Sequence, residues 1–521
     1  MGTIDADGNY IAPFGPQSTT ATVTATSKSD PAKSATATVH VVAPGQVSPT
    51  ANVQVALYSI SPGAPANVSV RFGKDTNYVL KTWEQPVPDG GGPVNLLVAG
   101  MAADTTYHMR AIVKFSDGAR FLDYDNTFVT GSLPLAQLPT IEVTTTPGMR
   151  PQEGIELLDL VIPQPQQAPL IMATDLEGNV IWTYNDGNLG GTPQPVKLLP
   201  NGHFLIDYVA PVGVAGSVIQ EVDLAGTVIW QMTLADLDAA LAAATCAGCN
   251  VSVFYTHHDF APLPNGHLVV IASTSRNISG TLIIGDVLID LDPNHKPVWI
   301  WNEFDHLDTN RRPFGFTLDN PDWTHTNAIL YSPDDSNLIV SLRHQNWLLK
   351  IDYRNGNGNG DILWKLGYQG DFALIGGTDP TDWFYAQHGP SFVSKNTTGI
   401  FSLALFDNGD DRVFPPDVTC GAMGEPACLY STAQILQIDE TSMTATLVSH
   451  PRAPEYSSFG GNAEVLKNGN LEFCESAGAG EGNIYEVLPG AGAQTVWHMS
   501  TPNQLVYRGK RIPSLYPDVQ W

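Results

Sequence analysis

Three stretches of the chain carry histidine in one recurring place. "YTHHDFAPLPNG", "DWTHTNAILYSP" and "FYAQHGPSFVS" set His257 and His258, His325, and His388 just ahead of a strand–turn–strand unit, and Arg343 in "SLRHQNW" follows His325 by 18 residues. A charge beside strand-forming residues is costly to bury. One histidine in such a place is ordinarily structural, bonded to backbone. Repeats tolerate whatever packs, so a non-packing residue shared at one end of three units implies a shared ligand. The set offers fixed donors for negative charge, with a planar fork from arginine. A neutral imidazole adds a nucleophile near pH 7 that needs no separate base. The same three histidines could instead hold a divalent metal with Asp259 behind them. Arg343 in the cluster would repel that cation.

The elements that must place these residues are repeated. "PLIMATDLEGNVIWTY", "SVIQEVDLAGTVIWQM", "VLIDLDPNHKPVWIWN", "WLLKIDYRNGNGNGDILWKL", "QILQIDETSMTATLVSH" and "NIYEVLPGAGAQTVWHM" are hairpins, most ending in Trp. Between them run units such as "VKLLPNGHFLIDY" and "AEVLKNGNLEFCE", two strands around a polar turn. Two hairpins make a four-stranded blade, so residues 140–521 are expected to form a six-bladed β-propeller. A sixth strand–turn–strand unit is not plain, which predicts closure by strands from both ends of the block. The inner strands of a propeller begin at one face of its channel, where the histidines would converge. Trp182, Trp230, Trp299, Trp301, Trp364 and Trp497 read as packing between blades. "RNGNGNGD" reads as an elongated turn in preference to a calcium site.

Ahead of the repeats stand two further blocks. Residues 1–46 alternate small polar and β-branched residues and resemble part of a bacterial Ig-like module; "DADGN" there is a turn, lacking the bidentate acid of a calcium loop. Residues 47–133 resemble a fibronectin type III module with Tyr107 as its structural corner tyrosine. The predicted class is all-β, with one helical patch, "LADLDAALAAA" at 234–244.

Composition agrees with many short strands and turns: 43% hydrophobic, 15% charged, 48 Gly and 39 Pro in 521 residues. The net charge of −27 would repel a polyphosphate backbone, so nucleic acid is not an expected partner. No apolar run reaches membrane-spanning length. "MGTIDADGNY" lacks the basic start and apolar centre of a signal peptide, as expected of a trimmed chain. Of five cysteines, Cys420 and Cys428 are the favoured disulfide, Cys246 and Cys249 in "CAGC" a less favoured one, and Cys474 a buried free thiol.

"HHDF" before "PLPNG", "DWTHTNAI" followed by "SLRHQN", "QHGP" and "LFDNG", in this order, resemble the bacterial arylsulfotransferases. The resemblance covers about 140–521. It implies a periplasmic or extracellular six-bladed propeller that moves sulfate from aryl sulfate esters to phenols by a ping-pong reaction, without a nucleotide donor. It also implies His388 as the transiently sulfated residue, with His258, His325 and Arg343 holding the sulfuryl group. Which of His257 and His258 faces the site stays open. Sulfuryl transfer passes through a loose state with charge on three equatorial oxygens, which suits fixed donors and an in-line nucleophile. His257, Asn327 and Asn408 are expected to contact substrate, and no cofactor or metal is expected. A metal-dependent propeller lyase or hydrolase, or a non-enzymatic glycan- or peptide-binding propeller, are the alternatives.

Overall fold

The computed structural model describes all residues except 1, 6–9, 12–16, 89, 135–137, 162–170, 186–190, 210–216, 314–320, 398, 411, 413–428, 478–479 and 491. The fold is nearly all β. Among the described residues one α-helix forms, Leu234–Ala243, where Thr233 and Asp236 close a reciprocal capping box. None is long and apolar enough to cross a membrane.

Six sheets of four or five strands follow one another between Glu142 and Ile512. The second runs Thr192–Leu198, Phe204–Val209, Val218–Val222 and Val228–Thr233, all antiparallel. The third (Tyr255–Pro262 to Pro297–Asn302) and fourth (Thr326–Ser332 to Ile362–Gly367) repeat that order. The fifth starts at His388–Thr397 and ends at Thr444–Ser449, with Ala373–Ile375 added in parallel. The sixth runs from Asn462–Val465 to Thr495–Thr501, with Glu142–Thr145 added outside. The first sheet joins the two ends of this stretch. Val506–Ile512 pairs with Ile155–Leu160, which continues to Ile171–Thr174 and Val180–Tyr184. That pairing supplies the strand pair the sequence left open.

The hairpin tryptophans link one sheet to the next. Trp182 Nε1 donates to the Leu224 carbonyl at 2.8 Å, Trp301 to Gly360 at 2.8 Å, Trp364 to Glu440 at 2.8 Å, and Trp497 to Leu176 at 2.9 Å. Trp230 stacks on His295 and Trp299 meets Tyr353 edge-on. The Trp182, Trp301, Trp364 and Trp497 rings carry a large apolar area into the core while the N–H finds a carbonyl or carboxylate, worth roughly 4–6 kcal/mol of burial apiece as an upper estimate.

Residues 46–129 form a three-stranded and a six-stranded sheet around one core that includes Tyr58, Val70, Phe72, Met109 and Val113. Tyr107 is buried there, its hydroxyl accepting from Ala102 N at 3.0 Å. Thr19–Thr26 and Ser34–Val41 make a separate two-stranded sheet. Cys246 and Cys249 are bonded and Cys474 is free and buried. Cys420 and Cys428 lie outside the described residues, as does most of "DADGN". At "RNGNGNGD", Arg354 forms an ion pair with the preceding Asp352 at 2.7 Å, and Asp361 accepts from Asn359 Nδ2 at 2.6 Å.

Candidate active site

The three histidine segments reach their places by one backbone device. His258 and His325 have φ of +63° and +51°, and Ala386, two residues before His388, has +51°. Left-handed backbone is uncommon outside glycine and persists where the surroundings over-determine it. At the first, the strand pairing breaks between Thr256 and Phe260, a bulge that turns His258 out of the ladder. After His388 the backbone stays left-handed at Gly389, φ +49°, and Asn462 fills the space a side chain would need.

His388 is buried at the first position of its strand. Its Nδ1 lies 2.7 Å from Asn408 Oδ1 and 3.2 Å from the Ala386 carbonyl. The Asn408 amide nitrogen donates to the Ser457 carbonyl at 2.8 Å and to Gly460 at 3.2 Å, which fixes its oxygen toward the imidazole. Nδ1 therefore carries the proton, and Nε2 holds the lone pair. Burial, then the Arg343 charge, push the His388 pKa well below the ordinary imidazole value.

His257 stands behind His258. Its Nε2 faces Asp286 at 3.0 Å and Ser273 Oγ at 2.9 Å, and its Nδ1 lies 2.6 Å from His258 Nδ1. Burial opposes its charged form, but the Asp286 carboxylate outweighs burial and raises its pKa. Burial, then His325 and His257, push His258 well below the ordinary value. Both directions favour the proton between the two Nδ1 atoms on His257, with His258 Nδ1 as acceptor. The His258 ring lies 4.6 Å from that of His325 and 6.5 Å from that of His388.

His325 Nδ1 meets Asp322 Oδ2 at 2.5 Å, and its ring stacks on His344 at 4.6 Å. Burial opposes the ionised Asp322, yet the histidine holds that carboxyl well below the usual carboxylate range. Arg343 sits one residue past the strand Asn337–Leu342, in a 3-10 turn. Backbone bonds from Arg343 N to His325 O and from His344 N to Thr324 O fold that turn back on the histidine segment. Arg343 Nη2 donates to Asp410 at 2.6 Å and to the Ser458 carbonyl at 2.9 Å, and Nη1 lies 2.5 Å from His344 Nε2.

The amide nitrogens of Asn327 and Asn408 donate to backbone carbonyls. Asn327 Nδ2 donates to the Gln387 carbonyl at 2.7 Å, next to His388, as Asn408 does to Ser457 and Gly460. Five participants escaped the sequence reading: Asp286, Asp322, Asp410, Tyr507 and Arg508. Asp322 and Asp410 stand beside motifs already quoted, three residues before His325 and two after Asn408. Nothing local marks Tyr507 or Arg508. The closing strand brings the Tyr507 ring to 5.9 Å from His258 and 6.4 Å from His388. Arg508 Nη2 donates to the carbonyls of Asn327 at 2.9 Å and His258 at 3.3 Å, tying two histidine segments to the strand that joins the chain ends.

Next in sequence to His258 and His388, Asp259 and Gly389 line a cavity of about 360 Å³ with residues of all six sheets, among them Pro195, Ile329, Asn462 and Arg508. Among the described residues, Asp322, His325 and His344 bring potential metal-ligand atoms within 4.8 Å of one another. The Arg343 guanidinium, 2.5 Å from His344 Nε2, opposes a cation there by charge.

The family model described as Arylsulfotransferase (ASST) matches residues 147–508. No curated protein matches the chain. Among solved structures, a putative 6-phosphogluconolactonase from Bacteroides fragilis is 10% identical over 86% of this chain and 98% of its own, with a TM-score of 0.34. A Lactobacillus plantarum protein is 11% identical over 69% of this chain and 100% of its own, TM-score 0.34. A Synechocystis apocarotenoid oxygenase variant is 11% identical over 90% and 94%, TM-score 0.32.

Proposed function

The chain belongs to the arylsulfotransferase family and is a sulfotransferase enzyme, and from that premise we propose that it carries a sulfuryl group from an aryl sulfate ester to a phenol through a sulfated His388. The observation that carries the proposal is the Asn408 contact, which leaves His388 Nε2 unprotonated in a buried site.

In the first step Nε2 attacks sulfur, the N–S bond forms and the S–O bond to the aryl group breaks. The leaving phenolate takes the His258 Nε2 proton while His258 Nδ1 takes the proton of His257 Nδ1, leaving His257 neutral beside Asp286. In the second step an acceptor phenol attacks the sulfated imidazole, and its proton returns along the same pair. Arg343 and His325, each set by a carboxylate, supply charge and donors for the sulfuryl oxygens in the loose transition state. No nucleotide donor enters the scheme.

The scaffold for this chemistry is a six-bladed propeller. Three observations favour it: six successive sheets, the pairing of the two chain ends in the first of them, and the Trp497 bond from the sixth sheet to the first. The cavity lined from all six sheets would be its central channel. Residues 1–46 and 47–133 are then Ig-like and fibronectin type III-like modules ahead of a catalytic domain at 140–521. The Cys246–Cys249 disulfide fits a periplasmic or extracellular setting.

Turnover of a chromogenic aryl sulfate, with and without added phenol, tests the function. Parallel initial-rate lines on varying both substrates support a two-step transfer. A requirement for adenylyl sulfate, or loss of turnover on chelation with recovery on adding a metal, would refute it.

A further inference from the structure

Residues 47–133 contain six basic and seven acidic residues in a chain of net charge −27, and five of the six basic ones stand on the outer face of one sheet. The pairing places them in two rows across the strands. Lys81, Arg71 and Arg110 lie opposite one another on three neighbouring strands, and Lys114 lies opposite Arg120. Four residues of strand separate the rows, about 13 Å. The core-facing neighbours Val70, Phe72, Met109 and Val113 fix which side these cations take.

Like charges directly opposite each other across strands destabilise a sheet, and little here neutralises them. Lys114 pairs with Glu84, but among the described residues Arg71, Lys81, Arg110 and Arg120 form no ion pair. Arg110 rests over the Tyr78 ring at 4.4 Å, and its buried Nε has no hydrogen-bond partner. The face is not flat. The C-terminal residues rise beside it, held by Tyr516 Oη donating to the Leu97 carbonyl and by Trp521 Nε1 donating to the Lys81 carbonyl, each at 2.8 Å. Between wall and sheet lies a cleft of about 550 Å³ whose lining includes Arg71, Lys81, Trp83, Lys114 with its partner Glu84, Arg120 and, on the wall, Asp518.

We propose that this cleft binds an anionic oligosaccharide, its carboxylate or sulfate groups meeting Arg71, Lys81 and Arg120 with the half-buried Trp83 indole against a sugar ring. Aromatic faces take the C–H surface of a sugar, and guanidinium groups match planar anions in bidentate fashion. A half-enclosed cleft accepts a chain of rings in single file, whereas a bilayer or a duplex would meet the C-terminal wall first. The site lies on a different module from the histidine cluster, so the proposal stands apart from the transfer chemistry. Its role would be to hold the enzyme on an acidic glycan.

The test is a titration of the full chain with oligogalacturonate and with chondroitin sulfate oligosaccharides at low and physiological salt. Saturable, salt-weakened binding to either is expected, and which one binds names the acidic group. Arg71→Ser with Lys81→Ser should weaken it at least about ten-fold, with aryl sulfate turnover and circular dichroism unchanged. Lys395→Ser with Lys467→Ser, remote from the cleft, should leave binding as it was. No binding to either sugar, equal loss in the remote variant, or tighter binding of duplex DNA or phosphatidylglycerol vesicles that the Arg71/Lys81 variant abolishes would overturn the proposal.

Discussion

Asn408 Oδ1 lies 2.7 Å from His388 Nδ1, and the same side chain's nitrogen is engaged by the Ser457 and Gly460 carbonyls. A turn asparagine thereby selects the tautomer of a histidine on the neighbouring strand. Replacing it with Leu removes the acceptor, frees the tautomer and leaves the Nδ1 proton buried without its best partner. The expected cost is about 10- to 100-fold in transfer rate, in line with losses of partners that orient a functional imidazole. Asn408→Asp, which keeps an acceptor, should lose less; equal rates for Leu and wild type would remove the tautomer argument.

The pH profile should carry two marks of the histidine set. His388 must be neutral to attack, and its pKa is held well below the ordinary value, so activity should persist on the acid side of pH ~6.5. His257 must hold its proton for the leaving phenolate, and Asp286 raises its pKa. Asp286→Asn removes that support, so the basic limb should move to lower pH by about one unit. A profile with the basic limb unmoved in Asp286→Asn would exclude His257 as the proton reservoir.

Arg343 tests whether shape or charge matters. Lys keeps the charge but cannot reach Asp410, the Ser458 carbonyl and substrate together, so Arg343→Lys should lose about 10²-fold in rate. Asp410→Asn leaves the guanidinium in place but less firmly held, and should lose less. Steady-state kinetics of both variants decide the order; a Lys variant with wild-type rate would assign Arg343 a purely electrostatic role.

How far the site can be read in the chain depends on sequence distance. His258, His325 and His388 are legible because each precedes a local turn signal, so a repeat register finds them without any fold. Asp322 was within reach, three residues from His325. Asp410 lies 67 residues from Arg343, and Arg508 is 250 residues from the His258 carbonyl it holds; only the pairing of sheets brings them in. The local bonds of Asn327 and Asn408, to the Gln387, Ser457 and Gly460 carbonyls and to the His388 ring, are set for the same reason by groups that no motif reveals. The six hairpin pairs were legible from Trp and Asp spacing, whereas the pairing of Val506–Ile512 with Ile155–Leu160 joins strands about 350 residues apart.

The contact between the sixth and first sheets has its own energetic signature. Trp497 is fully buried and bonds to Leu176 across the junction of the sixth and first sheets. Trp497→Phe should lower unfolding free energy by about 1–3 kcal/mol, leaving a carbonyl without its donor. Trp497→Ala should cost about 3–5 kcal/mol through the cavity it leaves. Denaturant titration measures both, and a Phe variant as stable as wild type would mean that the Leu176 bond contributes nothing net.

The most direct measurement is mass spectrometry of proteolytic peptides after brief exposure of the enzyme to an aryl sulfate with no acceptor present. One sulfuryl group should appear on the peptide containing His388, vanish on adding a phenol, and be missing from His388→Ala, whose fold is retained. A sulfuryl group on His258 or His325 with His388 unmodified, or turnover with no adduct under any quench, would contradict the central role given to His388.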